Sequence, residues 1–110
     1  MNLTQETKNE VLICKVEGEI NMESSVELRK AFDGFIRLGA GKILLDLEAV
    51  SYVDSSGLAT LIELLQRLKK TAGRLRIANM SAKVKSVFEI TKLSTLFEIF
   101  QSTEAALKEF

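Results

Sequence analysis

Residues 43–47 read Ile-Leu-Leu-Asp-Leu, apolar at successive positions with one acid inside the run. A strand with one wet face alternates apolar and polar residues. A run without alternation belongs to a strand covered on both faces, as in the parallel sheets of α/β domains. The chain must therefore supply helices to clothe that strand. Its 110 residues suffice for one domain, 1–110. Such a chain folds to roughly 6,000 Å² of accessible surface, burying about two-thirds of what the unfolded chain exposes.

The flanking segments supply the covering. Val11-Leu12-Ile13-Cys14-Lys15-Val16 is β-rich and bounded by Gly18, and a shorter strand over Leu3–Thr7 pairs with it through a turn near Lys8-Asn9-Glu10. The period then changes to helical. Asn21 is a good N-cap, Val26, Leu28, Phe32, Phe35 and Ile36 form an apolar stripe, Arg37 closes the helix and Gly39 suits a left-handed C-terminal position. After the 42–47 strand a second stripe runs through Leu58, Leu61, Ile62, Leu65 and Leu68, with Gly73 beyond it. Arg74–Ile77 alternates, predicting a strand with one wetter face. Ser81 caps a third helix burying Val84, Val87 and Phe88. Leu96–Ile99 is a short last strand, and Ser102 caps a final helix carrying Leu107 and Phe110. Strands separated by helices cross over right-handedly. The expected product is an α/β fold: a mixed, mostly parallel sheet of about four to five strands with about four helices.

Composition removes most chemistry. There is no His, Pro or Trp and one Cys. Without His there is no Ser-His or Cys-His pair, no imidazole acid–base step and no histidine-ligated metal. One Cys allows no internal disulfide and no thiolate cage. We expect no enzyme, no cofactor and no metal. No apolar run approaches the about 20 residues of a membrane span, and Met1–Glu6 lacks signal-peptide character. A cytoplasmic protein without membrane attachment is expected. Net charge is zero, against direct nucleic-acid binding, yet residues 1–55 hold six basic and ten acidic side chains and residues 56–110 nine and five. From Arg67 to Lys85 no acid occurs. That run reads first as a solvated helix end and edge strand, and otherwise as a surface that orients a charged partner.

One segment exceeds what packing requires: Val50-Ser51-Tyr52-Val53-Asp54-Ser55-Ser56-Gly57-Leu58. It links the buried strand to the second helix at the strand's carboxyl end, where open α/β sheets place their sites. Asp-Ser-Ser-Gly is also a plain helix start, since Ser is a favoured N-cap. Gly57 permits close approach of another chain. A hydroxyl there faces unpaired N–H groups and the positive end of the helix dipole. Phosphorylation would add about −1.5 to −2 charges beside Asp54, tolerable to the fold and unwelcome to an interface.

At these residues the sequence resembles the STAS domains of bacterial anti-sigma factor antagonists. The likeness rests on Gly18-Glu19-Ile20-Asn21, on Ile43–Leu47 followed by Val50–Val53, and on Asp54-Ser55-Ser56-Gly57-Leu58. It implies that the unphosphorylated protein binds an anti-sigma factor and frees a sigma factor. That anti-sigma factor is a serine kinase of the histidine-kinase-like ATPase fold, which phosphorylates the hydroxyl directly after the motif Asp. A serine phosphatase reverses the step. Carried over, the acceptor is Ser55, with Ser56 second, and Asn21, Asp54, Ser55, Ser56, Gly57 and Leu58 form the partner-binding loop. Many relatives carry Asp where Asn21 stands. The alternative is a STAS scaffold or accessory module of a stress-signalling or transport complex, because fold does not fix function.

The remaining candidates read as structure. Cys14 is a buried thiol, and Asp46 lies near a strand end with a hydrogen-bond partner. The six Phe residues follow core spacing. Met22 and Asn79-Met80-Ser81 occupy loop positions able to join a partner surface. A Ser55 hydrolase lacks a His base and the Gly-x-Ser-x-Gly elbow, which leaves only a Ser-Lys arrangement formally open.

Overall fold

The buried strand is longer than its apolar run. In the computed structural model, which describes residues 1–110, it spans Lys42–Val53 and is the middle of five strands. In chain order the elements are β1 (Asn2–Lys8), β2 (Val11–Ile20), α1 (Met22–Arg37), β3 (Lys42–Val53), α2 (Ser55–Lys70), β4 (Arg74–Ala78), α3 (Ala82–Ile90), a 3₁₀ turn (Leu93–Thr95), β5 (Glu98–Phe100) and α4 (Thr103–Leu107). Spatial order follows chain order; β1 and β2 are antiparallel and every other neighbouring pair is parallel. The expected α/β architecture is present.

Both faces of β3 are covered, which explains its unbroken hydrophobicity. Ile43, Leu45 and Leu47 join the core beneath α1, α2 and α3, with Phe32, Leu61 and Phe88 among the helical contributors. Leu44 points the other way, into a smaller cluster with Val11, Ile13, Ala78 and Ala106 of α4. The accessible surface is 6323 Å², as the length requires.

Four local readings change. First, β2 continues through Gly18 to Ile20, and Val50–Val53 is strand, not a connecting loop. The register slips between Lys15 and Glu17 and again between Gly18 and Glu19, and Gly18 sits at φ +111°. The glycine absorbs a bulge instead of ending the strand. Beyond Leu47 the outer face opens to water, so the apolar run stops while the pairing continues. Second, Val26 is 54% exposed, outside the core stripe. Third, Arg76 is buried, so β4 has no wet face there. Fourth, the last two elements are shorter than expected: the strand starts at Glu98, with Leu96 exposed on the preceding turn, and α4 ends at Leu107, leaving Phe110 beyond it.

The helix ends show why α2 stops. Gly39 takes the left-handed position after α1 (φ +80°), as expected. After α2 the left-handed residue is Ala72 (φ +58°), not Gly73. Gly73 N–H then bonds to the Leu68 carbonyl at 2.7 Å and Ala72 N–H to that of Lys69, a Schellman closure.

Candidate functional site

The carboxyl ends of β2 and β3 bring two helix N-termini together. β2 delivers Asn21 to the start of α1. Its Oδ1 accepts from Ser24 N–H at 2.9 Å, while Ser24 Oγ accepts from Asn21 N–H at 2.9 Å and donates to the Glu19 carbonyl at 2.8 Å. This is a reciprocal capping box. Its sequence signal is Asn21 with Ser24 three residues on. Met22 is helical, the first residue of α1, and 73% exposed.

β3 delivers Asp54 to the start of α2. Asp54 is the N-cap, its Oδ1 accepting from Gly57 N–H at 2.9 Å and its carbonyl from Leu58 N–H at 2.9 Å. The capping duty considered for a serine thus falls to the aspartate. Ser55 is the first helical residue and exposed; Ser56 is half-buried. Neither hydroxyl has a hydrogen-bond partner in the chain; from Ser56 only the carbonyl is engaged, by Thr60 Oγ1 at 3.0 Å. The Ser55 and Ser56 N–H groups precede the first helical bond and face outward at the positive end of the dipole.

The two termini are locked to one another. Asp54 N–H bonds to the Ile20 carbonyl at 3.0 Å. A Cβ on Gly57 would lie 2.6 Å from that same oxygen and 2.7 Å from Ile20 Cγ2. The close approach that Gly57 allows is therefore to the end of β2 in its own chain, a correction to the expected contact with another chain. Leu58 is buried in the core. Asn21, Asp54, Ser55, Ser56 and Gly57 thus come together, with Leu58 as anchor.

Charge around this end is uneven. Glu19, Asn21, Glu23, Ser24 and Glu27 line a shallow cleft with Met1. On the other side, Lys83 Nζ lies 5.5 Å from the centroid of the Tyr52 ring, a pair without sequence signal. The three arginines of the basic run are engaged elsewhere: Arg67 pairs with Asp33, Arg74 with Glu98 at 2.7 Å and Arg76 with Glu98 at 3.3 Å. The helix end at Lys69 and Lys70 is solvated as expected, but β4 lies between β3 and β5 and is not an edge strand.

The residues set aside as structural behave so. Cys14 is fully buried, and burial pushes its thiol up to about 12. Asp46 is buried mid-strand, not near a strand end; its Oδ1 accepts from Glu48 N–H and Asn79 Nδ2, each at 3.1 Å. Asn79 Nδ2 also donates to Thr103 Oγ1 at 3.0 Å, so Asp46 ties β3 to β4 and α4. No group of three or more His, Cys, Asp or Glu residues is placed to hold a metal ion. No helix is long and apolar enough to cross a membrane.

Comparison with known proteins bears on this geometry. The family model described as the STAS domain matches residues 2–106. The anti-sigma-B factor antagonist of Staphylococcus aureus is 31% identical over 104 residues, 94% of this chain and 96% of that protein. The structure of the anti-sigma factor antagonist SpoIIAA in its unphosphorylated form superposes with TM-score 0.81 at 25% identity, over 96% of this chain and 93% of that one. The phosphorylated form of SpoIIAA, from Bacillus, gives 0.74 at 24% identity and 96% of each.

Proposed function

The chain belongs to the STAS domain family, and from that premise we propose that it is an anti-sigma factor antagonist switched by phosphorylation of Ser55. The observation that carries this reading is the division of labour at the start of α2. Asp54 holds the helix end, leaving the Ser55 hydroxyl exposed and without any internal bond. A group added there disturbs nothing inside. The relatives' names supply the partner class: the Staphylococcus aureus relative and SpoIIAA are called anti-sigma factor antagonists, and SpoIIAA is described in unphosphorylated and phosphorylated forms.

In the unmodified state the surface around Asn21, Asp54, Ser55 and Ser56 binds an anti-sigma factor and frees the sigma factor it held, a cytoplasmic event. The anti-sigma factor is a serine kinase of the histidine-kinase-like ATPase fold. Ser55 Oγ attacks the γ-phosphorus of ATP; an O–P bond forms, the β–γ anhydride bond breaks, ADP leaves and the hydroxyl proton passes to a base on the kinase. The product carries about −1.5 to −2 further charges among Glu19, Glu23 and Asp54, where a docked surface must sit. The partner is expelled by local electrostatics while the fold stays as it was. A serine phosphatase returns the hydroxyl by hydrolysis. This protein is the regulated binding component and supplies no catalytic group.

The test is affinity capture with the unmodified chain and with phosphoserine installed at position 55, together with phosphosite mapping after incubation with ATP and the captured protein. An ATP-binding kinase retained only by the unmodified form, and label lost in Ser55→Ala, is the expected result. Full labelling of Ser55→Ala would move the acceptor to Ser56. Equal capture by both forms would leave the scaffold reading.

A further inference from the structure

We propose that Lys83 is the built-in counter-charge for a phosphoryl group on Ser55, and that its transfer from Tyr52 to that group uncovers the Tyr52 ring in the switched state. The proposal rests on the reading of Ser55 as phosphoacceptor and adds a second consequence to the modification.

Lys83 breaks a local rule. It sits in the first turn of α3, directly after the N-cap Ser81 and Ala82, and that turn contains no acid. A cation at the positive end of a helix dipole is unfavourably placed. Violations of local preference concentrate where function demands them. Lys83 has no ion-pair partner within 4 Å; its ammonium rests over the Tyr52 ring, which is 40% exposed. An exposed cation–π contact is a weak restraint.

Tyr52 lies three residues before Ser55, so their Cα atoms are within about 11 Å. Between them Val53 is buried and Asp54 is bonded to Ile20 and Gly57, leaving Tyr52 and Ser55 as the exposed residues of the turn. The flexible lysine stem can carry its charge from one toward the other. A phosphate dianion attracts an ammonium as a full charge, where the ring offers only a quadrupole. The charges near this end divide by helix. Glu19 and Glu23 line the cleft at the start of α1, Asp54 directly precedes Ser55, and Lys83 and Lys85 belong to the first turns of α3, of which Lys83 is the one held against β3. Modification therefore does two things: it adds negative charge toward α1 and bares an aromatic ring toward α3.

The chain has one Tyr and no Trp, so its signals are unambiguous. The test uses the full chain with phosphoserine installed at 55, alone and combined with Lys83→Met, an exposed substitution that leaves the fold intact. In a ³¹P NMR titration the second phosphate pKa should be lower in the Lys83 protein by about half a unit, a roughly threefold change in dissociation constant. The Lys83 ε-methylene protons, shifted upfield by the Tyr52 ring before modification, should lose that shift after it. Identical phosphate titrations with and without Lys83, or a ring-current shift that survives modification, overturns the proposal while leaving Ser55 as acceptor. Phosphosite mapping that finds the label elsewhere overturns the acceptor reading and the role of Lys83 with it.

Discussion

Asp54 and Ser55 are neighbours with opposite dependence on the fold. Asp54 Oδ1 satisfies an orphan N–H of α2, and removing such a cap costs about 1 kcal/mol. Ser55 touches nothing inside. Urea denaturation should therefore show Asp54→Ala destabilised by about 1 kcal/mol and Ser55→Ala unchanged within about 0.5 kcal/mol, although Ser55 is the proposed acceptor. Cys14 gives a second test at this scale. Its thiol is held neutral by burial, at about 12 against an ordinary 9.0. Below pH 9 both folded and unfolded thiols are protonated and the contribution is constant. Between about 9 and 12 the unfolded thiol loses its proton first, so stability falls as pH rises, by at most about 1.4 kcal/mol per unit. The difference in slope between wild type and Cys14→Ala, followed by chemical denaturation from pH 8 upward, isolates this term; equal slopes would refute it. These assignments were half-legible in the sequence. Residue types pointed to a capped helix start, but whether Asp or Ser did the capping depends on backbone angles.

At the scale of elements, two joints decide the shape of the site. The first is Gly57 against Ile20. With a Cβ only 2.6 Å from a backbone oxygen, α2 must move away from β2. Gly57→Ala should cost about 1–3 kcal/mol by overpacking, and crosspeak shifts in an amide NMR spectrum should spread from Asp54 to Ile20. The second joint is Arg76. Its guanidinium bonds to the carbonyls of Ala106 and Lys108 at 2.9 and 2.7 Å, and stacks on Phe100 and Phe110 with centroids 4.8 and 4.6 Å away. A charge so buried needs such partners, and here it pins α4 to the sheet. Arg76→Met should cost roughly 2–3 kcal/mol, and hydrogen exchange should show lost protection in α4 with β3 still protected. In sequence Arg76 alternated with Leu75 and Ile77 and so looked exposed. The alternation correctly placed it on the other face, but that face is covered by α4, which lies about thirty residues along the chain.

For the whole molecule, the split of charge between sequence halves becomes a set of local clusters. Glu19, Glu23 and Glu27 gather where the helices begin, whereas Lys42 and Arg74 start adjacent strands at the opposite end, beside the last α2 residues Lys69 and Lys70. Arg67, Arg74 and Arg76 are meanwhile paired with acids distant in sequence. No continuous basic stripe remains to track a phosphate backbone. Fluorescence anisotropy should detect no binding to a labelled DNA duplex at physiological ionic strength, and any weak association at low salt should vanish as salt rises; salt-resistant binding would contradict this.

The sequence by itself determined the central buried strand, the alternation of strand and helix, and the chemistry available at residues 54–57. These depend on hydrophobic period and residue type, which are properties of neighbouring positions. The tertiary structure alone decided that β2 and β3 run on past their apolar cores to carry Asn21 and Asp54 side by side. It also decided that Gly57 is reserved for Ile20, that Arg76 is inside, and that Lys83 reaches Tyr52. Each of these pairs residues far apart in the chain, and their meeting is fixed by register, bulge and sheet order, which no local pattern encodes.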